Sequence, residues 1–234
     1  MSLFLKLISI VKGRDIVLDR KVNFFYLLQL STIKFLALLR GLIFTWKLVF
    51  LGRGASVIAA KQLFVSNGVE IGPYCQIDCL SHKGLFIGSS SKIGAFSTLK
   101  VSGSLADLGV AIRIGDNVGI GEYAHIGGAA EVTIGDNTIT GSYLSIHPEN
   151  HIFSDISLSI RLQGVTRQGV HIGSNCWIGA KASFLDGSEI GDGCVVAAGA
   201  VVTKKFGRHL LIGGVPARVL KDLKNTNAEK PMVS

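Results

Sequence analysis

An aliphatic residue returns every six positions through most of this chain. The longest uninterrupted series is Ile172, Ile178, Phe184, Ile190, Val196 and Val202. Shorter series with the same spacing begin at residue 71, and a glycine usually follows the aliphatic residue. A repeat this short predicts a β-solenoid, because each coil can bury its aliphatic row only by stacking on the next coil. The 29 glycines and only 4 prolines suit tight corners in such a β-rich chain.

The fifth position of each repeat is small, which suits a tight inner corner. It holds Cys75, Ser81, Ser91, Ser97, Val118, Ala124, Ala130, Thr138, Cys176, Ala182, Ser188, Cys194 and Ala200. Three of the four cysteines occupy this position, so we interpret them as small buried hydrophobic residues. Together with Cys79 they lack the spacing of a zinc site. The sequence therefore predicts neither a cysteine nucleophile nor a metal centre.

The sixth position is expected to point outward and holds larger side chains. Its members include Gln76, His82, Lys92, His125, Glu131, Trp177 and Glu189. An exposed tryptophan needs an explanation, because tryptophan is usually largely buried. We therefore expect Trp177 either to be covered by a neighbouring subunit or to stack on a ligand.

The six-residue period stops over residues 147–169. This stretch opens within SIHPENHIFSD, where His147 directly follows the in-phase Ile146 and His151 lies in the excursion itself. The sequence predicts a loop that projects from the solenoid here.

Residues 1–52 are basic and rich in aromatic and aliphatic side chains. Eight cations stand against Asp15 and Asp19, which gives +6 of the +8 for the whole chain; they are Lys6, Lys12, Arg14, Arg20, Lys21, Lys34, Arg40 and Lys47. Lys34 and Arg40 interrupt the apolar stretch, which argues against a spanning helix. We predict an amphipathic helical segment on an anionic membrane surface. The alternative is a helical layer that packs on the protein or on a neighbouring subunit.

The opening of the chain shows no secretory signal with a cleavage site. We therefore expect a cytoplasmic protein that is peripheral on the inner face of the cell membrane. No nucleic-acid partner is expected.

The stretch from Val170 to Lys221 resembles the acyltransferases built on hexapeptide repeats. The residues that carry the resemblance are Trp177-Ile178-Gly179-Ala180, Gly187, Ile190-Gly191-Asp192, Ala198-Gly199-Ala200-Val201-Val202-Thr203-Lys204 and Gly214-Val215-Pro216-Ala217-Arg218. The resemblance implies an all-β fold, a left-handed parallel β-helix over residues 53–215. It is preceded by the helical segment 1–52 and followed by a short C-terminal helix and tail over residues 216–234.

Within that family the chain is most similar to sugar O-acetyltransferases, including enzymes that modify capsule, O-antigen or exopolysaccharide. The resemblance implies a homotrimer with acetyl-CoA in the groove between neighbouring subunits and a histidine general base. The pattern of an Asn-His pair, then Asp155, then Gln163-Gly164 favours His151 as that base. The His-Pro pair of the galactoside enzymes would instead favour His147.

The same resemblance assigns residues to the two substrates. It implies that Trp177 packs against the coenzyme, that Ala180 and Ala198 place backbone groups along the pantetheine arm, and that four residues lie near the nucleotide: Thr203, Lys204, Arg218 and Lys221. Candidate acceptor residues are Tyr123, His125 and Asp155. The coil around Tyr123 departs from the galactoside enzymes, so we expect a glycan of a surface polysaccharide, or its lipid-linked precursor, instead of a free galactoside.

Three alternatives remain open from the sequence. In the first, the acceptor is an amine on a nucleotide-linked sugar. In the second, the protein is a non-catalytic β-helix scaffold. In the third, His125, His147 and His151 bind zinc as in the γ-class carbonic anhydrases, although their spacing differs from that family.

Overall fold

A computed structural model describes Asp19 and residues 21–225. Helix α1 (Phe24–Thr45) is followed by a long series of short strands. In chain order the strands are β1 (Phe50–Leu51), β2 (Ser56–Ile58), β3 (Leu63–Val65), β4 (Glu70–Ile71), β5 (Gln76–Asp78), β6 (Gly84–Ile87), β7 (Lys92–Ile93), β8 (Thr98–Lys100), β9 (Ala111–Ile114), β10 (Gly119–Ile120), β11 (His125–Gly127), β12 (Glu131–Ile134), β13 (Ile139–Thr140), β14 (Ser145–His147), β15 (Asn150–His151), β16 (Val165–Thr166), β17 (Val170–Ile172), β18 (Trp177–Ile178), β19 (Ser183–Leu185), β20 (Glu189–Ile190), β21 (Val195–Val196), β22 (Val201–Val202), β23 (Lys205–Phe206), β24 (Leu210–Gly214) and β25 (Ala217–Asp222).

The chain visits three sheets in turn, one strand in each. Sheet A has the order β1-β4-β7-β10-β13-β18-β21-β24-β25, sheet B the order β2-β5-β8-β11-β14-β19-β22, and sheet C the order β3-β6-β9-β12-β17-β20-β23. Neighbouring strands are parallel except β24 and β25, and the in-phase residues pair with one another, as Ile126 does with Ile146. The predicted repeat of stacked parallel strands is confirmed.

The aliphatic row forms the core. Phe184 is the largest fully buried side chain, and the other in-phase residues are almost all buried around it. The small fifth-position residues are buried at the corners, as the sequence predicts. All four cysteines are free and buried, and burial raises the pKa of the Cys79 thiol to about 12 and that of Cys176 to about 11. Such thiols stay protonated at neutral pH, which fits a structural role.

The predicted C-terminal helix is wrong. Residues 217–222 form strand β25, which runs antiparallel to β24 and places Arg218 opposite Gly213. A 3₁₀ turn, Leu223–Asn225, follows it. The physical reason is that β24 is the last parallel strand of sheet A, and the N–H and C=O groups on its open edge offer a returning segment more hydrogen bonds than an isolated helical turn would. The predicted tail beyond residue 225 lies outside the described residues.

Helix α1 occupies part of the predicted N-terminal segment. Asn23 caps it by accepting a hydrogen bond from the Tyr26 backbone N–H, at 2.8 Å. Its main contact is with β1, so the first coil begins at Phe50, three residues before the predicted boundary. By length and composition this helix is suited to cross a membrane, and few of its residues are buried against the rest of the described chain. Lys6, Lys12, Arg14 and Arg20 lie outside the described residues.

Candidate active site

Two long connections leave the solenoid at the corner between sheets B and C. Residues 101–110 join β8 to β9, and residues 148–169, hereafter the arm, join β14 to β17. The arm matches the predicted excursion, except that His147 still belongs to β14. The two connections flank the same edge of sheet B, where His125 and His147 point outward.

The arm is a folded hairpin fixed at its base. Strand β15 pairs antiparallel with β16, and His151 lies opposite Val165. Arg167 donates a 2.7 Å hydrogen bond from Nε to Glu149 Oε2 and pairs through Nη1 with Asp107 Oδ2 at 2.8 Å. One guanidinium therefore joins both ends of the arm to the 101–110 connection.

A buried carboxylate holds the returning end of the arm. Asp186 Oδ1 accepts hydrogen bonds from the backbone N–H groups of Gln168 and Gly169, at 2.7 and 2.9 Å. Its other oxygen accepts a bond from the Thr166 hydroxyl at 3.0 Å. These bonds compensate the cost of burying the carboxylate and fix the arm where it rejoins sheet C.

His125 and His147 line a pocket of about 280 Å³ between the two connections. Their rings stack with centroids 5.3 Å apart. A 2.7 Å hydrogen bond joins Ser145 Oγ to His147 Nε2 and orients that ring. Lys100 and Glu149 also line the pocket. The site therefore contains two imidazoles, a cation and a carboxylate around an open space of ligand size.

The pKa of His125 lies below its usual value. Burial of the ring is the main cause, and repulsion from the adjacent His147 is the second. His125 is therefore held neutral near pH 7 and is suited to hydrogen-bond a polar ligand.

The lowered pKa of His125 predicts a pH-dependent stability. The unfolded chain binds the proton more readily, so the folded state loses stability as the pH falls from about 6.5 towards the lower folded pKa. We expect His125→Gln to show a smaller loss of thermal midpoint between about pH 7.5 and 5.5 than the parent protein. His209→Gln, at an exposed histidine outside the pocket, is the control and should behave like the parent. Equal losses of thermal midpoint in the parent and in both variants would contradict the predicted contribution of His125.

His151 and Asp155 lie on the exposed arm, apart from the pocket. Asp155 accepts bonds from the Ser157 backbone N–H and hydroxyl, and these bonds lower its pKa. Its backbone is held by the Gln163 side chain. The matched pattern of Asp155 and Gln163 thus stabilises the arm. Within the described residues, neither Asp155 nor Glu149 bonds the His151 ring; Asp155 bonds Ser157 and Glu149 bonds Arg167.

Tyr123 belongs to an aromatic stack at the corner between sheets A and B. Its ring lies between Phe96 and Tyr143, with centroids 5.1 Å away on each side, and Tyr74 extends the stack below Phe96. Each of these residues has a positive φ of 56–64°, which is unfavourable for a bulky side chain. Stacking offsets that cost. Because both ring faces are covered, only the edge and hydroxyl of Tyr123 are open to a ligand.

The predicted coenzyme residues are divided between two regions. Trp177 is exposed on the outer face of sheet A, in register with Val195, Leu211 and then Lys221 on the following strands. Ala180 and Ala198 occupy the same corner on successive coils, between sheets A and B, and Arg218 lies on β25 at the end of sheet A. Thr203 and Lys204 instead lie at the corner between sheets B and C.

This division separates the histidines from the tryptophan within one chain. His125 and His147 face outward from sheet B, whereas Trp177 faces outward from sheet A. Within one chain the two sets therefore lie on different sides of the solenoid.

Two features of the site escaped the sequence analysis. The cluster of Arg167, Asp107 and Glu149 joins residues that are far apart in the sequence, so no short sequence pattern indicates it. The aromatic stack did leave a signal, because Tyr74, Phe96, Tyr123 and Tyr143 each follow an in-phase residue by three positions. In the described part of the chain, no group of three or more His, Cys, Asp or Glu is arranged to hold a metal ion.

Comparison with known proteins gives matches over most of the chain. Residues 169–204 match the family model for bacterial transferase hexapeptide repeats (six repeats). The chain is 30% identical over 217 residues to "Probable acetyltransferase Rv3034c" of Mycobacterium tuberculosis, covering 93% of this chain and 64% of that protein. It is 32% identical over 117 residues to WbbJ of Escherichia coli, named as a candidate O-acetyl transferase of lipopolysaccharide biosynthesis, covering 47% of this chain and 60% of WbbJ. The chain thus spans less than two thirds of these relatives.

Solved structures share the architecture. A variant of AntD, an N-acyltransferase from Bacillus cereus in complex with dTDP-4-amino-4,6-dideoxyglucose and coenzyme A, aligns with a TM-score of 0.50 and 20% identity, over 79% of this chain and 88% of that one. At this identity the likeness concerns the fold alone. The family model over residues 169–204, the relatives named acetyltransferases and the repeats that fill three parallel sheets agree with one another: the chain is similar to the bacterial hexapeptide-repeat transferases.

Proposed function

We propose that this protein transfers an acetyl group from acetyl-CoA to a hydroxyl of a sugar in a bacterial surface polysaccharide or its lipid-linked precursor. The observation that carries the proposal is the histidine-lined pocket between the two connections, in a chain that is similar to the hexapeptide-repeat transferases. The acetyltransferase names of its relatives support the donor, and the name of WbbJ supports the sugar acceptor. A left-handed sense of the solenoid is part of this proposal.

The reaction needs a base and a site for the negative charge. The sugar hydroxyl loses its proton to a histidine as its oxygen attacks the thioester carbonyl. The tetrahedral intermediate carries an oxyanion, which backbone N–H groups at a solenoid corner can stabilise. The C–S bond then breaks, and the histidine returns the proton to the departing thiolate of CoA. No covalent acetyl-enzyme is required, consistent with the buried thiols.

We assign the general base to His151 and keep His147 as the alternative. His151 projects from the arm, whose pattern carries the family resemblance and whose base is anchored by Arg167. His147 has the more ordered setting, because Ser145 orients its ring and it lines the pocket. In either case the other histidine lies close along the chain and is available to bind the acceptor.

A homotrimer would complete the site. The arm exposes several apolar side chains, including Phe153, Ile156 and Leu162, which a neighbouring subunit would cover. The B face of one subunit would then oppose the A face of the next, bringing the histidines and Trp177 to one groove. In that arrangement Lys221 and Arg218 face the phosphates of the coenzyme as cations.

The donor is tested by thermal unfolding with acetyl-CoA. A ligand present at about a hundred times its Kd stabilises the folded protein by about 2.7 kcal/mol, which raises the midpoint measurably. Trp177→Ala should weaken acetyl-CoA binding by about tenfold or more, because the coenzyme loses a large apolar surface. Phe64→Ala, which removes an exposed aromatic side chain on sheet C, is the control and should bind normally. No stabilisation of trimeric parent protein would oppose the donor assignment; unchanged affinity in Trp177→Ala would oppose only the role of Trp177.

The second candidate acceptor is an amine on a nucleotide-linked sugar, the class of ligand in the AntD complex. The product distinguishes the two. Mild alkali releases acetate from an O-acetyl ester but leaves an N-acetyl amide intact. Because acetyl-CoA is a cytoplasmic metabolite, either reaction places the protein on the cytoplasmic side of the cell membrane in our proposal.

A further inference from the structure

Helix α1 carries an exposed surface that contains no charged side chain within the described residues. We call this surface the apolar face; its largest members are Phe24, Phe25, Tyr26, Phe35, Ile43 and Phe44. Phe25 is 78% exposed and Ile43 is 75% exposed. An exposed apolar surface of this extent marks an interaction site.

The two cations of α1, Lys34 and Arg40, and Lys47 just after it turn towards the solenoid and away from the apolar face. They bond acceptors of the first two coils: Lys34 to the Glu70 carboxylate, Arg40 Nε to the Leu51 carbonyl at 2.9 Å, and Lys47 Nζ to the Val65 carbonyl at 2.7 Å. Leu51 and Val65 lie in the first strands of sheets A and C, and the outer edges of these strands pair with no further strand among residues 21–225. The cations therefore satisfy edge carbonyls, and the helix presents its charged side inward.

Close packing keeps the helix against the end of the solenoid. A Cβ added at Gly41 would meet the Val49 carbonyl oxygen, so the two backbones touch at this point. The buried residues Leu27, Ala37 and Gly41 form one narrow stripe along the helix. A membrane-spanning orientation would break this packing and the three cation contacts, whereas a helix lying parallel to a bilayer surface keeps them.

We propose that the apolar face of α1 inserts into the hydrocarbon layer of a phospholipid bilayer, with the helix lying in the plane of the membrane. Outside the narrow stripe most exposed side chains of the helix are apolar, with Gln29 and Thr32 as exposed polar exceptions, and a largely apolar helix of this kind suits a lipid environment. A second protein chain would cover one further stripe and leave the rest exposed. The binding is hydrophobic, unlike the attraction between basic residues and anionic lipid that the sequence predicts, because the described cations of α1 are engaged by the solenoid.

Vesicle flotation of the purified full chain tests the proposal. We expect the protein to float with vesicles of phosphatidylcholine alone, and the bound fraction to change less than about twofold between about 50 and 500 mM NaCl. Binding that requires phosphatidylglycerol and is lost at the higher salt concentration would overturn the proposal, because it would show that charge drives the association.

A paired variant identifies the surface. Phe25→Ser combined with Ile43→Ser should weaken partitioning into phosphatidylcholine vesicles by about tenfold or more. Leu105→Ser, which changes an exposed apolar residue on the 101–110 connection, should bind like the parent. Both substituted side chains of the double variant are exposed, so its unfolding midpoint should be unchanged. Normal vesicle binding by the double variant, accompanied by a smaller oligomer in light scattering, would assign the face to a second copy and overturn the proposal.

Discussion

Replacing His151 with alanine is expected to lower the turnover of acetyl transfer by roughly 10²–10⁴-fold while leaving the affinity for acetyl-CoA nearly unchanged. In the proposed mechanism the imidazole removes the hydroxyl proton only during attack, so its loss raises the barrier of the chemical step. The residues that we propose for coenzyme binding, Trp177 among them, lie outside the arm, and this substitution does not touch them. Release of the CoA thiol with an envelope-glycan acceptor fraction measures turnover, and calorimetric titration with acetyl-CoA measures affinity.

His147→Ala is the comparison that separates the two candidate bases. If His151 is the base, His147→Ala should retain most of the turnover and chiefly raise the acceptor concentration needed for half-maximal rate. His209→Ala, at an exposed histidine away from the pocket, controls for the loss of any imidazole. A full loss in His147→Ala with normal turnover in His151→Ala would transfer the role to His147. Normal turnover in both would remove histidine general-base catalysis from the proposal.

Phe184→Ala is expected to lower the free energy of unfolding by about 3–5 kcal/mol. Phe184 is completely buried and pairs with Ile146 and Val202 on the neighbouring strands, so truncation leaves a cavity that spans three coils. Strand β19 also pairs with β14, the strand that carries His147. Urea unfolding at one fixed protein concentration measures the change.

Leu105→Ala provides the control for this substitution. It removes a large apolar side chain from an exposed position on the 101–110 connection, where that side chain contributes little to the core. We expect a change within about 0.5 kcal/mol. A loss of less than about 1 kcal/mol in Phe184→Ala would mean that the coils relax around the cavity and that stacking tolerates a missing core residue.

The repeat and the core were predictable from the sequence because they depend on short-range order. Each in-phase residue stacks on the in-phase residue of the next coil, so a period of six is enough to identify the buried row and the small corner positions such as Cys75 and Cys194. The strand at residues 217–222 was not predictable in this way. Its local pattern, with Pro216 near the start, is compatible with a helix, and only the open edge of β24 selects a strand.

The sequence alone determined the parallel repeat, the buried cysteines and the excursion that contains His147 and His151. The tertiary structure decided which side chains meet: stacking of successive coils brings His125 beside His147, and folding of the arm brings Arg167 to Asp107. It also decided the orientation of α1, because unpaired carbonyls at the end of the solenoid attract Arg40 and Lys47 and leave the apolar side chains outside. A periodic pattern specifies which residues face inward, but contacts between coils depend on how far each connection carries the chain before the next strand begins.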